Sequence, residues 1–296
     1  RIYYPYNAVF TGDWIKFTSN DAYFQMRLVD IIAHNFPQID SFDPYLIFPP
    51  GGNSYGPIHF FNLLIASVVW VITLGNPSLH VIDLIGVYFP VVLAGLTVIP
   101  AYFMGKALFN RWAGVIAAGL MAVLPGEFVG RSILGGTDQH VAETLFSAVA
   151  CMFLIFALRS AWQKQISWEH LIKRDWKTLL TPMLYSILAG VFIGVYMLTW
   201  IGALLFVFIF TVYFVIQIII DHFKHQSTFY LGFTGFFTFL VAFFMFLPVS
   251  YDSAYKLSLF AAMLIPPLLA VISRLMSVRI FKAYYYPAAL AVVAAV

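Results

Sequence analysis

Charge is what this sequence has least of. Asp, Glu, Lys and Arg make up 10% of its 296 residues, where a soluble domain carries about 25%. With 62% hydrophobic residues and a mean hydropathy of +0.88, that shortage excludes an ordinary soluble domain. The formal charge of +3 is small, and the basic residues stand beside apolar runs instead of gathering in one patch, which argues against nucleic acid as a partner. Cysteine is nearly missing too. Cys151, the single one, lies inside an apolar run, so no internal disulfide framework exists and a packed core residue is the expected role. No internal repeat, low-complexity linker or signal-peptide pattern is visible. The sequence starts at Arg1 without a methionine and stops at Val296 inside an apolar run, and a piece of a longer chain is the expectation.

What remains is a series of apolar runs near the ~20 residues that cross a hydrocarbon core of about 30 Å. They predict an all-α, polytopic transmembrane bundle with about eight spans: 82–105, 112–126, 141–160, 180–199, 201–220, 229–249, 256–273 and one from 284 onward. Basic connections alternate between them, at Lys106 and Arg111, at Arg159, Lys164, Lys173, Arg174 and Lys177, at His222, Lys224 and His225, and at Arg274, Arg279 and Lys282. The positive-inside rule places these in the cytoplasm and the loops at 127–140, near 200 and at 250–255 outside. The apolar run Ile58–Leu74 has no basic anchor before the next run, so it reads as a helix packed on the bundle or lying in the interface. Residues 1–81 then form a first external region and 82–296 the bundle, its last span incomplete. The Gln163–Leu179 connection, with Trp168 and Trp176, reads as an amphipathic interfacial segment.

Two acidic constellations fall on the predicted outer face. Thr18-Ser-Asn-Asp-Ala-Tyr carries Asp21 at the start of a predicted helix, and Thr137-Asp138-Gln-His140 directly precedes a span. Helix capping is a sufficient reason for either acid, but it leaves His140 and Arg131 without a role. Asp138 and His140, two apart, can point to one ion from an extended loop. Two carboxylates and an imidazole, with positions open for water and substrate, suit Mn²⁺ or Mg²⁺ and tolerate Zn²⁺. Asp13, Asp30, Asp40 and Asp43 read as solvated loop acids; Glu143 reads as a complement to the helix dipole, with a fourth polar contact at the site as its other reading. His34, His59 and His80 are not expected to be ligands, though His59 can approach the site. Asp252 and Lys256 are spaced for an i,i+4 pair.

The order Asn20-Asp21-Ala-Tyr, Asp43-Pro-Tyr45, Phe48-Pro-Pro-Gly-Gly52, Arg131…Gly136-Thr-Asp138-Gln-His140, with Phe109-Asn-Arg-Trp-Ala-Gly114 and Thr199-Trp-Ile-Gly202, resembles the catalytic subunit of the oligosaccharyltransferases, most of all its archaeal branch. The resemblance covers nearly the whole chain. It implies a GT-C fold and a multi-pass cell-membrane enzyme with its active site on the extracytoplasmic face. The implied reaction moves an oligosaccharide, with inversion, from a dolichyl (pyro)phosphate carrier to the asparagine of an Asn-X-Ser/Thr acceptor. On the matching positions, Asp21 and Asp138 would be catalytic, Asp21, Asp138 and His140 would hold the divalent metal, and Arg131 and Trp200 would bind the donor. Arg131 snorkelling to headgroups and Trp200 in an aromatic belt are the plainer readings of those two. His140 stands where bacterial and eukaryotic members have an acid. A later external-loop glutamate and a C-terminal WWDYG domain of that family lie beyond Val296, so this piece is expected to be incomplete for activity; a single-subunit enzyme is expected by analogy with archaeal members. Another GT-C enzyme using a lipid-linked sugar is the alternative. A transporter fits less well, since the interiors of the predicted spans are nearly uncharged.

Overall fold

A computed structural model describes residues 1–12, 14–39, 42–46, 48–53, 59–278 and 286. Within these the chain is helical apart from two short antiparallel hairpins, β1 (Phe10–Thr11) with β2 (Trp14–Ile15) and β3 (Phe42–Asp43) with β4 (Gly52–Asn53). It divides into two compact units. One holds residues 1–149, 195–201 and 249–251, the other residues 150–194, 202–248 and 252–296.

In the first unit, α2 (Asn20–Asn35), α3 (Phe60–Thr73) and α4 (Leu79–Leu108) pack on one another. Helix α2 buries Ala22, Met26, Val29 and Ile32; α3 buries Phe61, Ile65, Ala66 and Val69. Both sets recur at the three- and four-residue spacing of one helix face. The end of the Met26 side chain of α2 packs against Gly86 of α4, its sulfur 2.4 Å from where a Cβ would lie. Helices α2 and α3, before residue 81, share their core with α4. Helix α5 (Arg111–Val123) returns along α4 from an Asn110 cap whose Oδ1 accepts from the amides of Trp112 and Ala113.

The second unit contains most of α7 (His140–Gln163) and α9 (Trp176–Thr199), then α8 (Trp168–Ile172), α10 (Leu204–Phe223), α11 (Phe229–Phe246) and α12 (Ser253–Val278). Helices α10 and α11 pack against α12. Trp168 of α8 is held between Phe229 and the guanidinium of Arg274, whereas Trp176 is exposed.

Six helices among the described residues are long and apolar enough to cross a membrane: Leu79–Leu108, His140–Gln163, Trp176–Thr199, Ile201–Phe223, Phe229–Phe246 and Ser253–Ser277. Large apolar side chains stand exposed along them, among them Leu205, Phe208, Ile209 and Ile216 of α10, as a protein solvated by lipid requires. The expected span at 112–126 is a 13-residue helix, about 20 Å long at 1.5 Å per residue; Pro125-Gly126 stops it early. Helix α3 has 14 residues and is likewise short of a full crossing. The span from 284 onward lies outside the described residues, Tyr286 excepted, as do Arg279, Lys282, Asp13 and Asp40.

Candidate active site

The loop that carries Asp138 and His140 is fixed to a break in α4. Pro90, inside that helix, has no N–H for the carbonyl of Gly86 four residues earlier. Thr137 supplies the missing donor: its hydroxyl donates to Gly86 O at 2.8 Å, in a fully buried position. One residue on in the helix, Val87 O accepts from the amide of Gly135 at 2.9 Å. Gly135 O in turn accepts from Thr18 N, which leads into α2. Gly135 has φ +80°, a conformation that strains any side chain, and a Cβ there would meet Val9 tightly at 3.0 Å. Arg1 adds a tether, donating to Ser132 Oγ at 2.7 Å and to Ala122 O at 3.2 Å.

Asp21 is free of capping duty. Ser19 caps α2 by accepting from Ala22 N at 3.2 Å, which leaves the Asp21 carboxylate in the first turn. Asp138 is divided between two tasks. Its Oδ1 accepts from Gln139 N at 2.7 Å, while Oδ2 stands 3.4 Å from Arg131 Nη1 and 3.4 Å from His140 Nε2. The Asp138 side chain is 7% exposed. Arg131 also donates from Nε to Glu127 at 3.0 Å. That bond, followed by the charges of Glu127, Asp138 and Asp21, holds the guanidinium pKa above its ordinary value.

Asp21, Asp138 and His140 line one cavity of about 530 Å³, together with His59, Thr199, Trp200 and Tyr251. Trp200 is partly exposed there and stacks on Tyr196, ring centroids 6.4 Å apart. Arg131 does not line the cavity but reaches it through Asp138. Among the described residues, no three His, Cys, Asp or Glu side chains are drawn together closely enough to hold a metal ion. The donor types nevertheless suit a hard divalent cation: two carboxylates and an imidazole from two separate chain segments face one space.

Sequence reasoning missed a ladder of amides on the same wall. Asn62 donates to the backbone and side-chain oxygens of Gln25 at 3.0 and 2.7 Å, and Gln25 donates to Gln139 Oε1. It ties α2, α3 and the Thr137–His140 loop together, and isolated amides carry no sequence signal that they will meet. Asp43 requires a correction. It is no solvated loop acid but 2% exposed, receiving Arg27 Nε and Nη2 at 2.6 and 2.7 Å and Tyr45 N at 2.9 Å. The bidentate guanidinium holds its pKa below the usual carboxylate value. Asp252 accepts from Ala254 N instead of meeting Lys256, so it caps α12.

A family model described as oligosaccharyl transferase STT3, N-terminal, matches residues 1–292. The chain belongs to that family. A dolichyl-monophosphooligosaccharide–protein glycotransferase, AglB of Haloferax volcanii, is 32% identical over 232 residues, 78% of this chain and 22% of the relative. The Archaeoglobus fulgidus oligosaccharyltransferase tethered to an acceptor peptide with the NVT sequon superimposes with a TM-score of 0.84 at 25% identity, over 98% of this chain and 35% of that one. The same enzyme with Zn and sulfate gives 0.81 at 24% identity, over 100% and 37%. The STT3-family chain is thus an all-α, multi-pass membrane protein of GT-C type, and it spans about a fifth of its curated relative's length.

Proposed function

We propose that the protein is an oligosaccharyltransferase: it moves a glycan from a dolichyl-(pyro)phosphate carrier to the asparagine amide of an Asn-X-Ser/Thr acceptor. The observation that carries this reading is the meeting of Asp21, from the start of α2, with Asp138 and His140, from the loop docked on α4, at one cavity that Trp200 also lines. The names of the relatives support a dolichyl-linked donor and a sequon acceptor. The basic connections support an extracytoplasmic position for this cavity at the cell membrane, and the archaeal likeness supports a single-subunit enzyme.

Asp21, Asp138 and His140 would hold a divalent cation, Mn²⁺ or Mg²⁺ with Zn²⁺ as a substitute, as the Zn-containing relative suggests. That ion would supply positive charge that orients the carboxylates and offsets the developing negative charge of the leaving phosphate. The acceptor amide is a poor nucleophile because its lone pair is delocalised into the carbonyl. Asp21 and Asp138, accepting from its N–H groups, favour a twisted amide whose lone pair is localised on nitrogen. A C–N bond then forms at the anomeric carbon as the bond to phosphate oxygen breaks on the opposite face, which inverts configuration; the amide proton passes to carboxylate or solvent. Arg131 offers a fork of donors suited to the phosphate, and Trp200 a flat wall for the sugar or the carrier.

The direct test is purification of the full-length protein and incubation with a lipid-linked oligosaccharide and a fluorescent Asn-X-Thr peptide. Glycopeptide is expected, and a Gln-X-Thr peptide should stay unmodified. Hexose passing instead to a lipid or sugar acceptor would move the protein to another GT-C activity.

A further inference from the structure

Glu143 has no part in the reaction so far. It lies in the first turn of α7, three residues after His140, which places both side chains on one helix face. A carboxylate that merely complements a helix dipole does so from solvent. Glu143 is instead 8% exposed, and its Oε1 has no water-accessible surface and no hydrogen bond of ordinary geometry. Among the described residues, His140 Nδ1 lies within reach of that oxygen, 3.1 Å away. At the other end of the ring, Nε2 is 3.4 Å from Asp138 Oδ2. The imidazole is therefore bracketed by two carboxylates, one buried and one facing the cavity.

We propose that Glu143 is a positioning residue that fixes His140 as a metal ligand by holding Nδ1–H and presenting the Nε2 lone pair to the cavity. This rests on the reading of Asp138 and His140 as metal ligands. A ring with its proton on Nδ1 turns a lone pair toward the carboxylate oxygen of Asp138. Two lone pairs at 3.4 Å repel, and a cation held by Asp138 and His140 would relieve that repulsion. Metal-binding histidines commonly donate their second N–H to a carboxylate, which orients the ring and makes the ligating nitrogen more basic; loss of such a partner weakens metal binding roughly 10- to 100-fold. Burial strengthens the arrangement, since a carboxylate out of water needs a donor, and Ala142 and Leu145 beside it are buried as well.

The test is Mn²⁺ binding to the full-length protein in nanodiscs, followed by electron paramagnetic resonance, with thermal melting of each metal-free variant alongside. Wild type should bind Mn²⁺ and Asp138→Asn should lose it. Glu143→Gln should bind roughly 10- to 100-fold more weakly, Glu143→Asp should fall between, and Glu169→Gln, an exposed charge deletion elsewhere on the chain, should match wild type. Wild-type affinity in Glu143→Gln, whether or not its melting temperature drops, overturns the role of Glu143 while leaving the metal reading intact. No Mn²⁺ binding by wild type, or undiminished binding by Asp138→Asn, overturns the metal reading and this inference with it.

Discussion

Among the described residues, two close Asp–His pairs lie in apolar surroundings, and they differ in what remains to be satisfied. Asp221 and His222, in the second unit, are 1% and 4% exposed. Gln217 donates to Asp221 Oδ1 and Tyr230 Oη to Oδ2, both at 2.8 Å. His222 Nδ1 meets Ser273 Oγ at 2.8 Å, and its ring stacks on Tyr286, whose hydroxyl donates to Leu269 O. That pair is closed by short bonds from its own unit. Asp138 and His140 face a cavity, with contacts of 3.4 Å where hydrogen bonds prefer about 2.7–3.0 Å. The same residue types thus make a structural clasp when their partners are internal, and in the proposed reading a site when some of their capacity is left for something else.

The sharpest way to break this comparison is to make the same change on both sides. Asp138→Asn should lower the glycan transfer rate by roughly 10²- to 10³-fold, as removal of a preorganised electrostatic group does. Asp221→Asn should leave the rate per folded molecule within about threefold. Equal losses in a transfer assay would erase the distinction.

Next in size is stability. Asp221→Ala leaves the Tyr230 hydroxyl and the Gln217 amide without their acceptor, so a loss of about 1–3 kcal/mol is expected in detergent melting. A related loss, about 1–2 kcal/mol, is expected for Thr137→Val, which orphans the buried Gly86 carbonyl. Pro90→Ala restores a helical N–H to that carbonyl, so the double variant should recover part of the loss. Simple additivity in that cycle would show that Thr137 does not depend on the Pro90 break.

The smallest effect is one of pH. The Asp43 pKa is depressed in the folded chain, first by the Arg27 hydrogen bonds and then by the Tyr45 amide. Its contribution is present above the ordinary value of 3.8 and is lost as pH falls through the lower folded value. Asp43→Asn should therefore melt lower than wild type at neutral pH, and the gap should close below about pH 4. A gap of constant size across that range would contradict the pairing.

Much of this was legible because hydropathy and local order carry it. The long spans follow from apolar runs bounded by basic residues, and Asp21, Asp138, His140, Arg131 and Trp200 stand in short motifs. Other features depend on partners far along the chain. Asp43 looks like any loop acid until Arg27, 16 residues away, is folded against it. His222 looks like part of a basic connection until Ser273, 51 residues on, reaches its ring. Pro90 is visible as a helix break, but nothing local says that Thr137 will fill it. The apolar character of 112–126 runs on to Pro125-Gly126, whereas the helix there ends at Val123.

The central claim, that Asp21, Asp138 and His140 act as one metal-holding unit, is tested most directly by transfer kinetics of the full-length protein. Asp21→Asn, Asp138→Asn and His140→Ala would be assayed singly and in pairs across a Mn²⁺ titration. One unit predicts that each single change removes most of the Mn²⁺-dependent rate and that pairs are scarcely worse than the worse single. Losses that multiply in the pairs, or wild-type rates that ignore Mn²⁺, would contradict it and return these residues to the roles of cap and loop.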